Sequence, residues 1–316
     1  MQAGLLALAL AAGTTLIVGW PGIILLTRLR AGQNVRSDGP RSHLAKAGTP
    51  TMGGLLFLIG TSVATLLLAP PTPEIWILLL ATWGFALIGF ADDFLKVVLR
   101  RPLGLLARQK LGGQIILGLA VGASVVFLAG RGTDLTVPVL GWQWHLGWLY
   151  IPFACLLMVA AGNAVNLTDG LDGLAAGVTF WVALAYFLIG LFLDKIDLVI
   201  FTLALAGGCA GFLVYNFHPA RIFMGDTGSL ALGGAIGALA LLTRTEMVLP
   251  LLGGIYVLET LSVIIQVVFF RLTGRRFFRM SPLHHHFELL GWPETRVVFF
   301  FWFLAIIFAV LGLSLI

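Results

Sequence analysis

Five aspartates at the edges of long apolar stretches are the groups in this sequence best placed to do chemistry. Asp92 and Asp93 open Asp-Asp-Phe-Leu-Lys, Asp169 and Asp172 end the polar run that starts at Asn163, and Asp226 lies in Phe-Met-Gly-Asp-Thr-Gly-Ser. A carboxylate at membrane depth is costly, so it is usually paired or bound to a cation. Hard oxygen ligands suit Mg²⁺, which takes one or two protein carboxylates and fills its shell with water and phosphate oxygens. Lys46, Lys96 and Lys110, with the glycine-rich turns beside them, suit the phosphates themselves as point charges and N–H donors. The pattern points to phosphate chemistry on one face of a membrane.

Each element has a plainer alternative. Successive helical residues point about 100° apart, so Asp92 and Asp93 need not share a role, and a pair at a helix end can simply be solvated. Asp169 and Asp172 share a face if helical, but the glycines around them favour a tight turn with Asp172 capping the next helix. Glu259 and Gln266 fall inside an apolar stretch and read as buried polar groups. His284, His285 and His286 suggest zinc at first sight. No cysteine and no second histidine cluster completes a tetrahedral set, so they read as donors to phosphate or carbonyl groups. His43 and His218 are given no role. Cys155 and Cys209 sit in apolar runs and read as small buried hydrophobes.

The elements that must hold these groups follow from composition. Of 316 residues, 59% are hydrophobic and 10% charged, well below the quarter charged that a soluble domain carries. Apolar runs of membrane-crossing length recur throughout. The expected fold is an all-α integral membrane protein, one polytopic domain over 1–316. About ten transmembrane helices are expected, near 3–27, 52–69, 75–93, 112–130, 148–165, 174–193, 197–215, 228–243, 248–270 and 297–315. The first run is too long for a cleaved signal and lacks a basic residue ahead of it.

The sequence pI near 9.6 reflects topology rather than nucleic acid, for which no site is expected. Sixteen of the nineteen lysines and arginines fall in loops on one side, against Arg131, Lys195 and Arg244 on the other. The basic side should be cytoplasmic, which puts both termini outside and the five aspartates, with their active site, on the cytoplasmic face. The outer loops look featureless, apart from Trp142, Trp144 and Trp148, which read as interfacial anchors. Gly207/Gly211 and Gly233/Gly237 permit close helix approach, which favours packing within the chain while leaving room for a homodimer.

These residues also resemble a known family. Asp-Gly-Pro-x-x-His-x-x-Lys-x-Gly-Thr-Pro-Thr-Met-Gly-Gly from Asp38, Asp-Asp-Phe-x-Lys from Asp92 and Asn-Leu-Thr-Asp-Gly-Leu-Asp-Gly-Leu from Asn166 are followed by two more motifs. These are Phe-Met-Gly-Asp-Thr-Gly-Ser from Phe223 and Pro-Leu-His-His-His-Phe-Glu from Pro282. In this order they closely resemble the phospho-N-acetylmuramoyl-pentapeptide transferases, within the polyprenyl-phosphate N-acetylhexosamine-1-phosphate transferase superfamily. The resemblance implies an Mg²⁺-dependent enzyme of peptidoglycan synthesis in the bacterial inner membrane. It would take UDP-MurNAc-pentapeptide and undecaprenyl phosphate to lipid I and UMP. It implies Asp226 as metal ligand and Asp92, with Asp93 beside it, as the base acting on the lipid phosphate; covalent attack by an aspartate is the alternative. Lys46, Thr51, Asn166, Asp169, Asp172, Asn216 and Phe223 are implied around the uridine and diphosphate, with Gln266 and His284 to His286 completing that site. Lys110 and Asn163 join the substrate-binding candidates. A polyprenyl-phosphate GlcNAc-1-phosphate transferase is the nearest alternative, and a secondary transporter, which would need a repeat and midplane polar groups, is remote.

Overall fold

The computed structural model describes residues 1–28, 48–101, 103–138 and 140–316. The main helices are α1 (Gln2–Arg28), α2 (Gly54–Leu68), α3 (Pro73–Val97), α4 (Ala107–Phe127), α5 (Tyr150–Thr168), α6 (Leu174–Phe192), α7 (Ile196–Asn216) and α8 (Gly225–Thr243). They continue as short α9 (Leu249–Leu252), α10 (Gly254–Thr273), short α11 (Leu283–Leu289) and α12 (Glu294–Leu313). Among the described residues nine helices are long and apolar enough to cross a membrane. The chain is an all-α multi-pass membrane protein.

Two expected spans differ in detail. The one expected at 52–69 is α2, which has only 15 residues; at 1.5 Å per residue it covers about 22 Å, less than a hydrocarbon core of about 30 Å. The one expected at 248–270 is broken at Gly253 into α9 and α10. The loops at the end of the bundle opposite the five aspartates also hold more than expected. An antiparallel hairpin, β1 (Asp134–Val137) with β2 (Trp142–His145), pairs Leu135 with Trp144. It leaves Trp142 and Trp144 exposed, as interfacial rings should be. Behind it, buried Arg131 pairs with buried Glu246, whose carboxylate also accepts from the Tyr150 hydroxyl at 2.7 Å. These loops are therefore braced by a buried ion pair, and the featureless reading is corrected.

The bundle is organised around α8. Its sequence, Gly-Asp-Thr-Gly-Ser-Leu-Ala-Leu-Gly-Gly-Ala-Ile-Gly-Ala, is built of small residues, and it is the most buried of the spans. Small side chains let neighbouring backbones approach, which replaces the hydrophobic drive that lipid cannot supply. Helices α3 and α5 pack along it, with α2, α4 and α6 touching it. The glycine pairs are used inside the chain: a Cβ at Gly207 would lie 2.2 Å from the Leu8 carbonyl oxygen, and one at Gly233 would lie 2.5 Å from the Gly162 Cα. The consequence for chemistry is positional. The N-terminus of α8 lies at the bundle axis, level with the C-terminal ends of α3 and α5 and the N-terminal end of α4.

Candidate active site

Asp226 is the second residue of α8, and three helices supply its neighbours. Lys110 Nζ of α4 lies 2.9 Å from Asp226 Oδ2, and Lys96 Nζ of α3 lies 3.2 Å from the same oxygen. Asn166 of α5 donates its Nδ2 to Asp226 Oδ1 at 2.8 Å. Lys96 is shared: it also lies 2.5 Å from Oδ2 of Asp92, one helical turn earlier. Asp92 Oδ1 accepts from the Leu105 backbone N–H at 2.7 Å, which ties the loop before α4 to α3. Two carboxylates from different helices thus converge on one ammonium group.

Asp93 faces a different partner. Its Oδ2 accepts from the Thr227 N–H at 2.9 Å and the Thr227 hydroxyl at 2.6 Å, and its Oδ1 accepts from the Asp226 N–H at 3.2 Å. A carboxylate taking the first N–H groups of a helix satisfies orphan donors and meets the positive end of the helix dipole. Two glycines make the approach feasible. Gly89 of α3 would place a Cβ 2.0 Å from the Asp226 carbonyl oxygen, and Gly225, at φ 73°, would place one 2.5 Å from Asp93 Oδ2.

Asp169 sits at the C-cap of α5, just outside the span. Burial pushes its carboxyl up to about 8, and Asp226, Asp93 and Asp172 add repulsion of like charge. Asp172 does not cap α6: the N-cap is Gly173, with no side-chain bond. Asp172 Oδ2 instead accepts from the Ala220 N–H at 3.0 Å and lies 3.1 Å from His218 Nδ1, while its N–H donates to Glu294 Oε1 at 2.7 Å. The capping expectation fails because the left-handed Gly173, at φ 79°, turns the chain before α6 begins. Asp172, His218 and Glu294 form a second polar cluster with ligand-type atoms within 4.8 Å of one another. His218 and Glu294 were missed in the sequence because each stands alone, His218 in the turn after α7 and Glu294 at the first position of α12.

The remaining implied residues frame these groups. Asn216 is buried and joins two turns, accepting from the Gly173 N–H at 3.0 Å and donating to the Ile222 carbonyl at 2.9 Å. Half-buried Phe223 is fixed through its backbone: its N–H donates to the Pro50 carbonyl at 2.8 Å and its carbonyl accepts from the Gly53 N–H at 2.9 Å. Thr51 is buried beside Gly225. Asn163 donates to Gln114 Oε1 and to the Val159 carbonyl, each at 2.8 Å. Lys46 and His43 lie outside the described residues.

The histidine run is held by carboxylates and backbone. His284 and Glu259 are both buried, with His284 Nδ1 3.0 Å from Glu259 Oε1, and Glu259 Oε2 accepts from the Leu283 N–H at 2.6 Å. This is the partner that a carboxylate inside α10 requires. His284 Nε2 is buried without a hydrogen-bond partner among the described residues and points at Gly170, where a Cβ would lie 2.1 Å away. His285 Nδ1 lies 2.7 Å from Glu288 Oε2, and His286 Nδ1 accepts from the Arg279 N–H at 3.2 Å. Gln266 closes the loop after α10, accepting from the Phe277 and Phe278 N–H groups at 3.1 and 2.8 Å.

A polytopic bundle that gathers Asp92, Asp226, Lys96 and Lys110 at one end of its central helix is the frame of a membrane glycosyl transferase, and residues 75–244 match glycosyl transferase family 4. Residues 46–58 match the phospho-N-acetylmuramoyl-pentapeptide-transferase signature 1. Relatives of nearly the same length carry that enzyme's name. The one from Moorella thermoacetica is 70% identical over 98% of this chain and 97% of its own length. Those from Heliobacterium modesticaldum and Desulforudis audaxviator are 56% and 53% identical, over 100% and 95% of this chain and 98% and 94% of their own lengths. The chain belongs to the phospho-N-acetylmuramoyl-pentapeptide-transferase family.

Proposed function

We propose that this chain transfers phospho-MurNAc-pentapeptide from UDP-MurNAc-pentapeptide to undecaprenyl phosphate, giving lipid I and UMP, at the cytoplasmic face of a bacterial inner membrane. The carrying observation is the convergence of Asp92 and Asp226 on Lys96, with Lys110 beside them, where a lipid phosphate and a nucleotide diphosphate can meet. The full-length relatives and the 46–58 signature favour the muramoyl substrate over a GlcNAc-1-phosphate one.

The residues fit a divalent cation. Oxygens of Asp92 and Asp226 already share one cationic group, and burial, with like charge from Asp226, Asp93 and Asp172 added to it, raises the Asp169 carboxyl to about 8. Asp226 is the residue to hold Mg²⁺, which would neutralise charge on the transferring phosphate. The chain's own groups do the rest. Lys96 and Lys110 draw phosphate oxygens toward Asp226, and Asn166 fixes the rotamer of that carboxylate. Asp92, with its Oδ1 anchored on Leu105, holds its Oδ2 toward the site as the base for a lipid phosphate proton. Asp93 acts as a positioning residue that sets the start of α8. Glu259 orients His284 against the Asp169–Gly170 turn, and Phe223 offers a partly exposed ring for a nucleobase.

The test is to incubate the purified chain with undecaprenyl phosphate, Mg²⁺ and competing UDP-sugars, and to identify the lipid product by mass. Lipid-linked MurNAc-pentapeptide phosphate is expected, with activity lost on chelation and restored by Mg²⁺ or Mn²⁺. A lipid-linked GlcNAc product, or restoration by stoichiometric Zn²⁺ alone, refutes the assignment.

A further inference from the structure

The helix ends opposite the carboxylates border a partly open cavity with charged side chains in its wall. Its volume is about 250 Å³, and Arg131, Lys195, Arg244 and Glu74 line it, with Ala129 and Gly130 beside them. The charges in it are not equivalent. Arg131 is ion-paired with Glu246 and donates its Nε to the Leu241 carbonyl at 3.0 Å, so it is fully used in bracing the end of α8. Lys195 lies 3.0 Å from Glu74 Oε1. Exposed Arg244 takes part in neither ion pair and donates to the Arg131 carbonyl at 2.5 Å, so its charge stands outside the two pairs, while Asp194 and Asp197 flank Lys195. Arg244 also occupies the left-handed C-cap of α8, at φ 59° and ψ 34°, a position glycine fills without strain. An arginine stands there with its side chain reaching the cavity.

Next to this cavity an apolar cleft of about 270 Å³ runs between α3 and α4, lined by Pro73, Trp76, Ile77, Leu80, Ser124 and Leu128. The two adjoin through consecutive residues, Pro73–Glu74 at the start of α3 and Leu128–Ala129 just after α4. Trp76 and Leu128 are exposed on the surface that faces lipid. A cationic pocket adjoining an apolar slot reproduces the polarity of a charged amphiphile, head then tail. A soluble anion would leave the slot unused, and a zwitterionic head would place its own cation against Arg244.

We propose that the two cavities form one site for an anionic phospholipid of the leaflet opposite the carboxylates. Its phosphodiester lies against Arg244 and Lys195, and an acyl chain lies along Trp76 and Leu80. The site is separate from the transferase centre and stands whether or not that reading holds.

The test is native mass spectrometry of the full chain in detergent, titrated with phosphatidylglycerol, phosphatidylcholine or inorganic phosphate. Phosphatidylglycerol should be retained at several-fold higher occupancy than phosphatidylcholine. Arg244→Gln should weaken it about fivefold, the usual worth of one basic residue at a lipid surface. Ser124→Phe fills the slot and leaves every charge in place; it should weaken retention comparably. Lipid-free melting of each variant checks that the fold is kept. Equal retention of the two lipids overturns the proposal, as does no effect of either variant in a folded protein. Displacement of phosphatidylglycerol by millimolar phosphate, with Ser124→Phe silent, marks a site for a free phosphate instead.

Discussion

Replacing Asp93 separates two adjacent carboxylates that the sequence presents as a pair. Asp93 is 4% exposed and accepts three hydrogen bonds, from the Asp226 N–H, the Thr227 N–H and the Thr227 hydroxyl. Asp93→Ala strands these donors where water does not reach. Each buried donor left without a partner costs about 1–3 kcal/mol, and losing a helix cap costs about 1 kcal/mol. Part of the loss is recovered by relaxation, so a net 3–5 kcal/mol is expected, the range for breaking a buried charged contact. At about 2 °C per kcal/mol, melting should fall by roughly 6–10 °C. The same change frees the first turn of α8, and a displacement of Asp226 by about 1 Å costs on the order of a hundredfold in rate. Asp92→Asn behaves otherwise: it keeps an acceptor for the Leu105 N–H, loses the Lys96 pair, and should leave melting nearly unchanged while the rate falls by orders of magnitude. The assays are thermal melting in detergent and turnover of UDP-MurNAc-pentapeptide. If Asp93→Ala melts like the unmodified chain, Asp93 is no cap of α8 and the distinction between the two aspartates collapses.

Three further outcomes follow from the same geometry. Glu259→Gln should lower kcat at least tenfold by releasing His284 from its single orientation, with a smaller loss for His285→Gln; equal effects of the two on turnover would remove Glu259 from the site. Asp169 carries a carboxyl raised from 3.8 to about 8, so in chelated protein its contribution to stability is present below pH 4 and fades as pH rises through 8. Melting should therefore decline across that window, Mg²⁺ should suppress the decline with release of a proton, and Asp169→Asn should flatten it; a variant that declines like the unmodified chain refutes this. A reporter fused after Ile316 should be active only outside the cytoplasm, since the loops bearing sixteen of nineteen basic residues belong inside; activity inside, in a functional fusion, would reverse the topology.

What the sequence makes legible here is set by how cost is distributed in an apolar chain. Spans and carboxylates stand out because a run of about 20 apolar residues has few other uses and a charge beside one needs a reason. Pairings across the bundle do not stand out, because they depend on which helices touch. His218 meets Asp172 from the turn after α7 and Glu294 meets it from the start of α12, Arg131 meets Glu246 across 115 positions, and none of these contacts leaves a local trace. Glu259 is intermediate: its cost inside α10 announces a partner, and only the fold names His284. The Asp92–Asp93 split lies closest to legible. Lys96 stands four residues after Asp92, the spacing of neighbours on one helical face, and the two are ion-paired. Gly89 stands four residues before Asp93 and marks the face that another backbone must approach; Asp93 meets the N-terminus of α8 on that face. Lys96 also stands three residues after Asp93 and Gly89 three before Asp92, so the spacing allows either pairing and the fold decides: Asp92 meets Lys96, and Asp93 meets the start of α8. One turns toward Lys96 and Lys110, and the other fixes the helix that carries Asp226.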